Sequence, residues 1–340
     1  MINSQFVVGG GKPAIQRNAI FDSLKFILIS CVVLGHVLNY SHNSRINLAL
    51  WNWLYSFEMP LFVFISGYFT KRKSVGETFR GCVRLVETLF IWNIIYCIFN
   101  PSMEFSIERL FKPAFAYWYL LCLIIWRFIL QIIPLKILKH YVPILLTFVV
   151  GLFWGFINID GGVLSNSRVV AFFPFFMLGA YAREIGLVTR IRENKKIVSY
   201  AILVVIPMLL FLYNDTLAPY FNCSRPYIAD GGNIQGLMYR LLFYVLSLFQ
   251  GYALLNIAPN NSLFAKLGEQ TMPIYVFHGF VLIVLIKFAG YLNLPMSILF
   301  VLFYSVIICV SIIYMGKFVN YKMLLNPIST VIKHFVSNKK

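Results

Sequence analysis

Charge is what this chain has little of. Asp, Glu, Lys and Arg make up 12% of its 340 residues, and only twelve of these are acidic; a typical soluble domain carries about 25%. So few polar groups could not cover a water-facing surface, which excludes a soluble enzyme, a disordered chain and a coiled coil. Cysteine is also scarce. The six cysteines form no C-x-x-C pair and all but Cys223 fall inside apolar runs, which excludes a disulfide framework or a zinc ribbon and leaves small apolar fillers. No phosphate loop is present, because the GGGK run at 9–12 is followed by Pro13 and does not fit G-x-x-x-x-G-K-[ST]. No internal repeat occurs. The first apolar run lacks a small-residue cleavage site and carries Asp22 and Lys25, so it reads as a retained helix rather than a signal peptide.

Apolar residues are what the chain has in excess. They make up 60% of it, with 33 Phe, against about 45–50% in globular domains. They group into runs at 19–40, 48–70, 79–99, 114–133, 141–159, 169–186, 197–213, 236–258, 272–290 and 296–316, each of a length suited to a tilted α-helical span. The predicted fold is all-α: a polytopic integral-membrane bundle of about ten transmembrane helices. Residues 1–18 form an N-terminal tail, 19–316 the membrane domain and 317–340 a basic C-terminal tail. Although the formal net charge is +17, the basic residues sit mainly between apolar runs, which argues for membrane topology and against nucleic acid. Lys and Arg in the two tails and the even-numbered loops outnumber those in the odd-numbered loops by more than three to one, so both termini are expected in the cytoplasm.

Ionisable residues inside spans are costly and face a bundle interior or a wet cavity. The first helix has Asp22, Lys25 and His36. Eleven residues at 100° each bring His36 back within about 20° of Lys25 and about 16 Å along the axis, and Asp22 lies one turn before Lys25. All three therefore share a stripe. His36 is either a histidine hydrogen-bonded between helices or a general base; Lys25 either snorkels to the interface or holds a charged ligand. In the second span, Pro60 permits a kink, and Glu58 lies near mid-membrane, where a carboxylate needs a partner or a proton. Lys71, Arg72, Lys73, Arg80 and Arg84 cluster at the expected cytoplasmic mouth. They either anchor helix ends or hold a phosphorylated ligand. The outer loop at about 214–235, with Asp215, Arg225, Asp230 and Gly231-Gly232, is long enough to be ordered.

Several stretches together resemble the membrane acyltransferase-3 family. The first is Arg17 to Lys25 followed, after ten residues, by His36. Gly35-His36-Val37 and the run Met59-Pro-Leu-Phe-Val-Phe-Ile-Ser-Gly-Tyr68 are similar to the fucose 4-O-acetylase branch. Tyr117-Trp118-Tyr119-Leu120, Phe173 to Gly179, and Leu267-Gly268 with Ile274-Tyr275-Val276-Phe277-His278 follow in family order. Two positions depart from the pattern: Glu58 stands where the branch often has His, and Arg80-x-x-x-Arg84 replaces R-x-x-R. The resemblance implies transfer of an acyl group, usually acetyl, from cytoplasmic acetyl-CoA to a hydroxyl of a surface or lipid-linked glycan, in a bacterial cytoplasmic membrane. His36 would be the base, with Glu58 and Asp22 catalytic beside it. Lys25 and the Lys71–Arg84 cluster would hold the phosphates of CoA, and Trp118, Arg168 and His278 are expected to bind the acceptor. Besides acyl-CoA and glycan, only membrane lipids are expected as partners, and no metal. The competing class is a proton-coupled transporter or flippase relaying through Asp22, Glu58, His36 and His278; the missing inverted repeat speaks against it.

Overall fold

The computed structural model describes residues 19–331 apart from 101, 102, 104–107, 135, 137, 138, 160, 161, 214 and 231. The GGGK run, Lys12, Arg17, Gly231 and the basic residues beyond 331 lie outside the described residues. Among those described, no strand occurs. The principal helices are α1 (Ala19–Leu38), α2 (Arg45–Tyr55), α3 (Glu58–Phe69), α4 (Val75–Phe99), α5 (Trp118–Ile132), α6 (Val142–Phe153), α7 (Asn166–Glu184), α8 (Lys196–Tyr213), α9 (Asn233–Ile257), α10 (Ser262–Gly268), α11 (Thr271–Tyr291) and α12 (Ile298–Met315).

Among the described residues, eight helical segments are long and apolar enough to cross a membrane, α2 and α3 counting as one. Two of the ten expected runs form shorter apolar helices instead. The run at 114–133 gives its first residues to a turn in which Phe115 has φ 50°, so α5 begins only at Trp118. The run at 141–159 tightens into a 3₁₀ turn at Trp154–Phe156. Fifteen residues span about 22 Å, less than a hydrocarbon core of about 30 Å. The outer faces are apolar: Val204, Met208 and Leu212 on α8 and Leu299, Phe303 and Val306 on α12 are exposed, as a lipid-facing surface requires.

The second run breaks at Ser56–Phe57, three to four residues before the expected kink at Pro60. Pro60 sits in the first turn of α3, where its missing N–H removes no helical bond. Residues of α9 satisfy the break. The Ser247 hydroxyl lies 2.6 Å from the Ser56 carbonyl, and the Gln250 amide donates to Ser56 Oγ at 2.7 Å. An irregular backbone survives at membrane depth only when protein supplies such partners. The break puts Glu58 at the first position of α3, where the helix dipole favours a carboxylate.

Beyond the break, α3 packs along α7 with backbones in direct approach. A Cβ on Gly67 would lie 2.0 Å from the Phe176 carbonyl oxygen, and one on Gly179 2.0 Å from that of Phe64. The glycines of the S-G-Y and M-L-G stretches are thus a reciprocal packing device. Helix α1 lies inside the bundle, against α2, α3, α10, α11 and α12, with Leu24, Leu28, Val33 and Val37 buried.

Candidate functional site

Two cavities open along one face of α1. The first, of about 210 Å³, is lined by residues that include His36, Asn39, Tyr55, Glu58, Phe115, Trp118, Arg168, Asn222 and Tyr275. The second, of about 490 Å³, has Asp22, Lys25, Ile29, Phe62, Ser66, Phe69, Tyr119, Glu269 and Met272 on its walls. Val32, Met59 and Tyr275 line both. The α1 residues on these walls are Asp22, Lys25, Ile29, Val32 and His36, followed by Asn39 just past the helix end. Their alternating spacing of three and four is the stripe of one helix face. It runs from a lysine to an imidazole past this shared stretch of wall, the neck between the two chambers.

The smaller chamber is crowded with polar groups. Asn39 Oδ1 accepts from Trp51 Nε1 at 2.7 Å and from the Tyr55 hydroxyl at 3.0 Å, and its amide nitrogen lies 3.3 Å from His36 Nδ1. Glu58 is 3% exposed, and its Oε2 has no hydrogen-bond partner among the described residues. Its carboxylate lies over Gly35, where a Cβ would sit 3.3 Å from Oε2 and 3.1 Å from the Tyr55 ring; glycine leaves that room. Arg168 donates to the Asn222 carbonyl at 3.1 Å and to Asn222 Oδ1 at 2.8 Å. Its guanidinium stacks over Trp118, 4.7 Å from the ring centroid. No carboxylate lies within ion-pair distance of Arg168 among the described residues. An unpaired carboxylate oxygen and an uncompensated guanidinium in one small cavity mark a place built for a polar ligand.

The larger chamber is mainly apolar, and its charges are paired: Lys25 Nζ lies 2.6 Å from Asp22 Oδ1. Ser66 Oγ and the Tyr119 hydroxyl are 2.5 Å apart. Beyond Phe69, a third cavity of about 220 Å³ is lined by Lys71, Lys73, Glu77, Arg127 and Gln131. Arg72 is tied to the Gln131 carbonyl at 3.0 Å.

The sequence-derived candidates therefore divide. His36, Glu58, Trp118 and Arg168 meet at the smaller chamber, and Asp22 and Lys25 at the larger. Lys71 and Lys73 border the adjoining cleft. Arg80 and Arg84 are exposed and line none of these cavities. His278 is 0% exposed and lies behind the cavity wall, its ring 5.2 Å from that of His36 and 5.0 Å from that of Phe115. A direct contact with an acceptor is closed to it in this arrangement. The polar wall residues Asn39, Tyr55 and Asn222 were not singled out from sequence, and Tyr275 appeared there only within the matched Ile274–His278 stretch. Asn39 had a signal, lying one turn after His36. Asn222 had only its place in the outer loop, and that loop does reach the site. It does so because the Asn52 side chain holds it, donating to the Asp215 carbonyl at 2.7 Å and accepting from the N–H groups of Leu217 and Ala218 at 2.9 Å.

Two other in-span ions, Glu87 and Arg240, have structural partners. Glu87 accepts from the N–H groups of Ile328 and Ser329 at 2.6 and 3.2 Å. Arg240 is buried over the Tyr227 ring and donates to the Gly151 carbonyl at 3.4 Å.

The model of the acyltransferase domain in the acyltransferase-3 family matches residues 18–315. Nodulation protein NolL of Mesorhizobium japonicum is 25% identical over 322 residues, covering 84% of this chain and 82% of that protein. No solved structure matches the chain.

Proposed function

The chain belongs to the acyltransferase-3 family and is a multi-pass membrane O-acyltransferase, and from that premise we propose that it moves an acetyl group from cytoplasmic acetyl-CoA to a hydroxyl of an envelope glycan, in a bacterial cytoplasmic membrane. One observation carries the reading. The α1 stripe lines both chambers, which share Val32, Met59 and Tyr275 as wall residues. The donor's charges are remote from its thioester, and a corridor running from a cation to an imidazole suits such a molecule. Lys25, with Lys71 and Lys73 around Phe69, faces the charged end. The apolar walls take the slender arm, and the thioester stops at the neck beside His36. The excess of basic residues at the Lys25 end makes that end cytoplasmic.

In the smaller chamber the acceptor glycan lies among Glu58, Arg168, Asn222 and Trp118. A hydroxyl is a poor nucleophile until a base takes its proton. His36 takes it, and the freed oxygen attacks the thioester carbonyl. The aromatic faces of Trp118 and Phe115 pack the sugar, and Glu58 and Arg168 hold its other hydroxyls.

The test uses membrane vesicles from cells producing the protein, supplied with radiolabelled acetyl-CoA. The expected result is alkali-labile label in the glycan fraction, absent from vesicles carrying His36→Ala. Glycan left unlabelled by wild-type vesicles, with the protein inserted, would overturn the reading.

A further inference from the structure

The hydrogen bonds around the two facing imidazoles fix where each neutral ring carries its proton. His278 Nδ1 lies 3.0 Å from the Ile274 carbonyl oxygen and 2.8 Å from that of Tyr275. Carbonyl oxygens only accept, so Nδ1 holds the proton and Nε2 is a bare lone pair. That Nε2 is buried and has no partner among the described residues. A buried acceptor left unpaired calls for a reason. The ring across from it is His36, with centroids 5.2 Å apart and planes tilted by 35°. Phe115 packs on both, at 4.4 and 5.0 Å.

His36 has the opposite tautomer. An indole N–H only donates, so the Asn39 atom 2.7 Å from Trp51 Nε1 is its oxygen. The nitrogen of that amide then faces His36 Nδ1 at 3.3 Å, and an NH₂ group can only donate. His36 Nδ1 is therefore an acceptor, and the proton of the neutral ring sits on Nε2. One ring offers an N–H and its neighbour a lone pair.

We propose that His36 and His278 form a two-imidazole proton relay, a reading that rests on the acyl transfer proposed above. The acceptor hydroxyl displaces the long Asn39 contact and gives its proton to His36 Nδ1. As that N–H bond forms, the two rings, which make no hydrogen bond to each other at rest, turn Nε2 toward Nε2, the Nε2–H bond of His36 breaks and its proton passes to Nε2 of His278. The positive charge comes to rest on His278, where Nδ1–H already points at two carbonyl oxygens. The alkoxide attacks the thioester carbonyl, the carbon–sulfur bond breaks, and the departing thiolate takes back one proton through the same path. Both rings end neutral. His278 touches no substrate and is a positioning residue acting through His36. Asn39 sets the tautomer on which the relay depends.

Two measurements decide this. In wild-type protein in bilayers with ¹⁵N-labelled imidazoles, assigned with H36Q and H278Q, NMR should find the His278 proton on Nδ1 and the His36 proton on Nε2. A His36 proton on Nδ1 overturns the relay. In H278Q, whose amide still bonds but takes no proton, kcat for acetyl transfer should fall roughly 10²-fold, the low end for a proton-transfer group, with KM for acetyl-CoA unchanged. Rates in mixed H₂O and D₂O should change from a curved, two-proton dependence to a straight line. A curved dependence in H278Q, or a kcat within twofold of wild type, also overturns it. Wild-type protein that transfers no acetyl would count against the proposed function instead, and the NMR tautomers would still decide the relay.

Discussion

The larger and smaller chambers share one face of α1 yet treat polarity in opposite ways. In the larger, Lys25 is neutralised by Asp22 at 2.6 Å and the remaining wall is mostly apolar. In the smaller, Glu58 Oε2 has no partner among the described residues, and Arg168 holds only the Asn222 oxygens and the Trp118 ring. Polar groups in a membrane interior are normally satisfied. A chamber that satisfies its own charges serves passage, and one that leaves them open has that capacity for a ligand. In the proposed function, this contrast is what places the donor's arm in the first and the reacting sugar in the second.

Substitutions along α1 and around the smaller chamber test the contrast. His36→Ala should have the largest effect, lowering kcat by about 10²–10⁴-fold, with membrane insertion and KM for acetyl-CoA retained. Initial rates on reconstituted protein check this, and a kcat above a tenth of wild type would remove His36 as the base. Next in size is Arg168→Gln. Loss of a charge-assisted hydrogen bond is worth about 1.5–3 kcal/mol, so the KM for the glycan should rise roughly 10- to 100-fold with the donor KM unmoved. The same change in the donor KM instead would blur the two chambers into one.

Much of this was legible from sequence, and the reason is locality. The stripe through Asp22, Lys25 and His36 lies within one helix, where periodicity alone sets direction, and the apolar runs marked most of the spans. The break at Ser56–Phe57 was not legible, because its partners Ser247 and Gln250 lie about 190 residues away. Asn222 and Tyr275 reached the wall by the same long-range packing. The enclosure of His278 depends on Phe115, placed by a positive-φ turn inside what reads as uninterrupted helix. The basic cluster was visible as charge, but only the fold separates Lys71 and Lys73, beside the corridor, from Arg80 and Arg84, out on the surface of α4.

That separation yields two smaller predictions. Lys25→Gln should raise the KM for acetyl-CoA about tenfold, equivalent to about 1.4 kcal/mol, with kcat little changed because contacts remote from the thioester hold ground and transition states alike. A fall in kcat with unchanged KM would move Lys25 into the chemistry. Neutralising Arg80 and Arg84 together should raise the same KM by less than about fivefold, as exposed charges contribute about 0.2–1 kcal/mol. High salt should erase that difference through screening over about 8–10 Å. A larger or salt-resistant effect would place the donor's phosphates on the outer face of α4 and not in the corridor.

The central claim is that donor and acceptor enter the α1 face from opposite ends and meet at His36. Sealed vesicles of known orientation test it most directly, with radiolabelled acetyl-CoA confined to one side and acceptor glycan to the other. Labelled glycan should form when the donor faces the Lys25 end, and none when the two are exchanged. Equal labelling from both orientations, or labelling only when donor and glycan share a side, would contradict it.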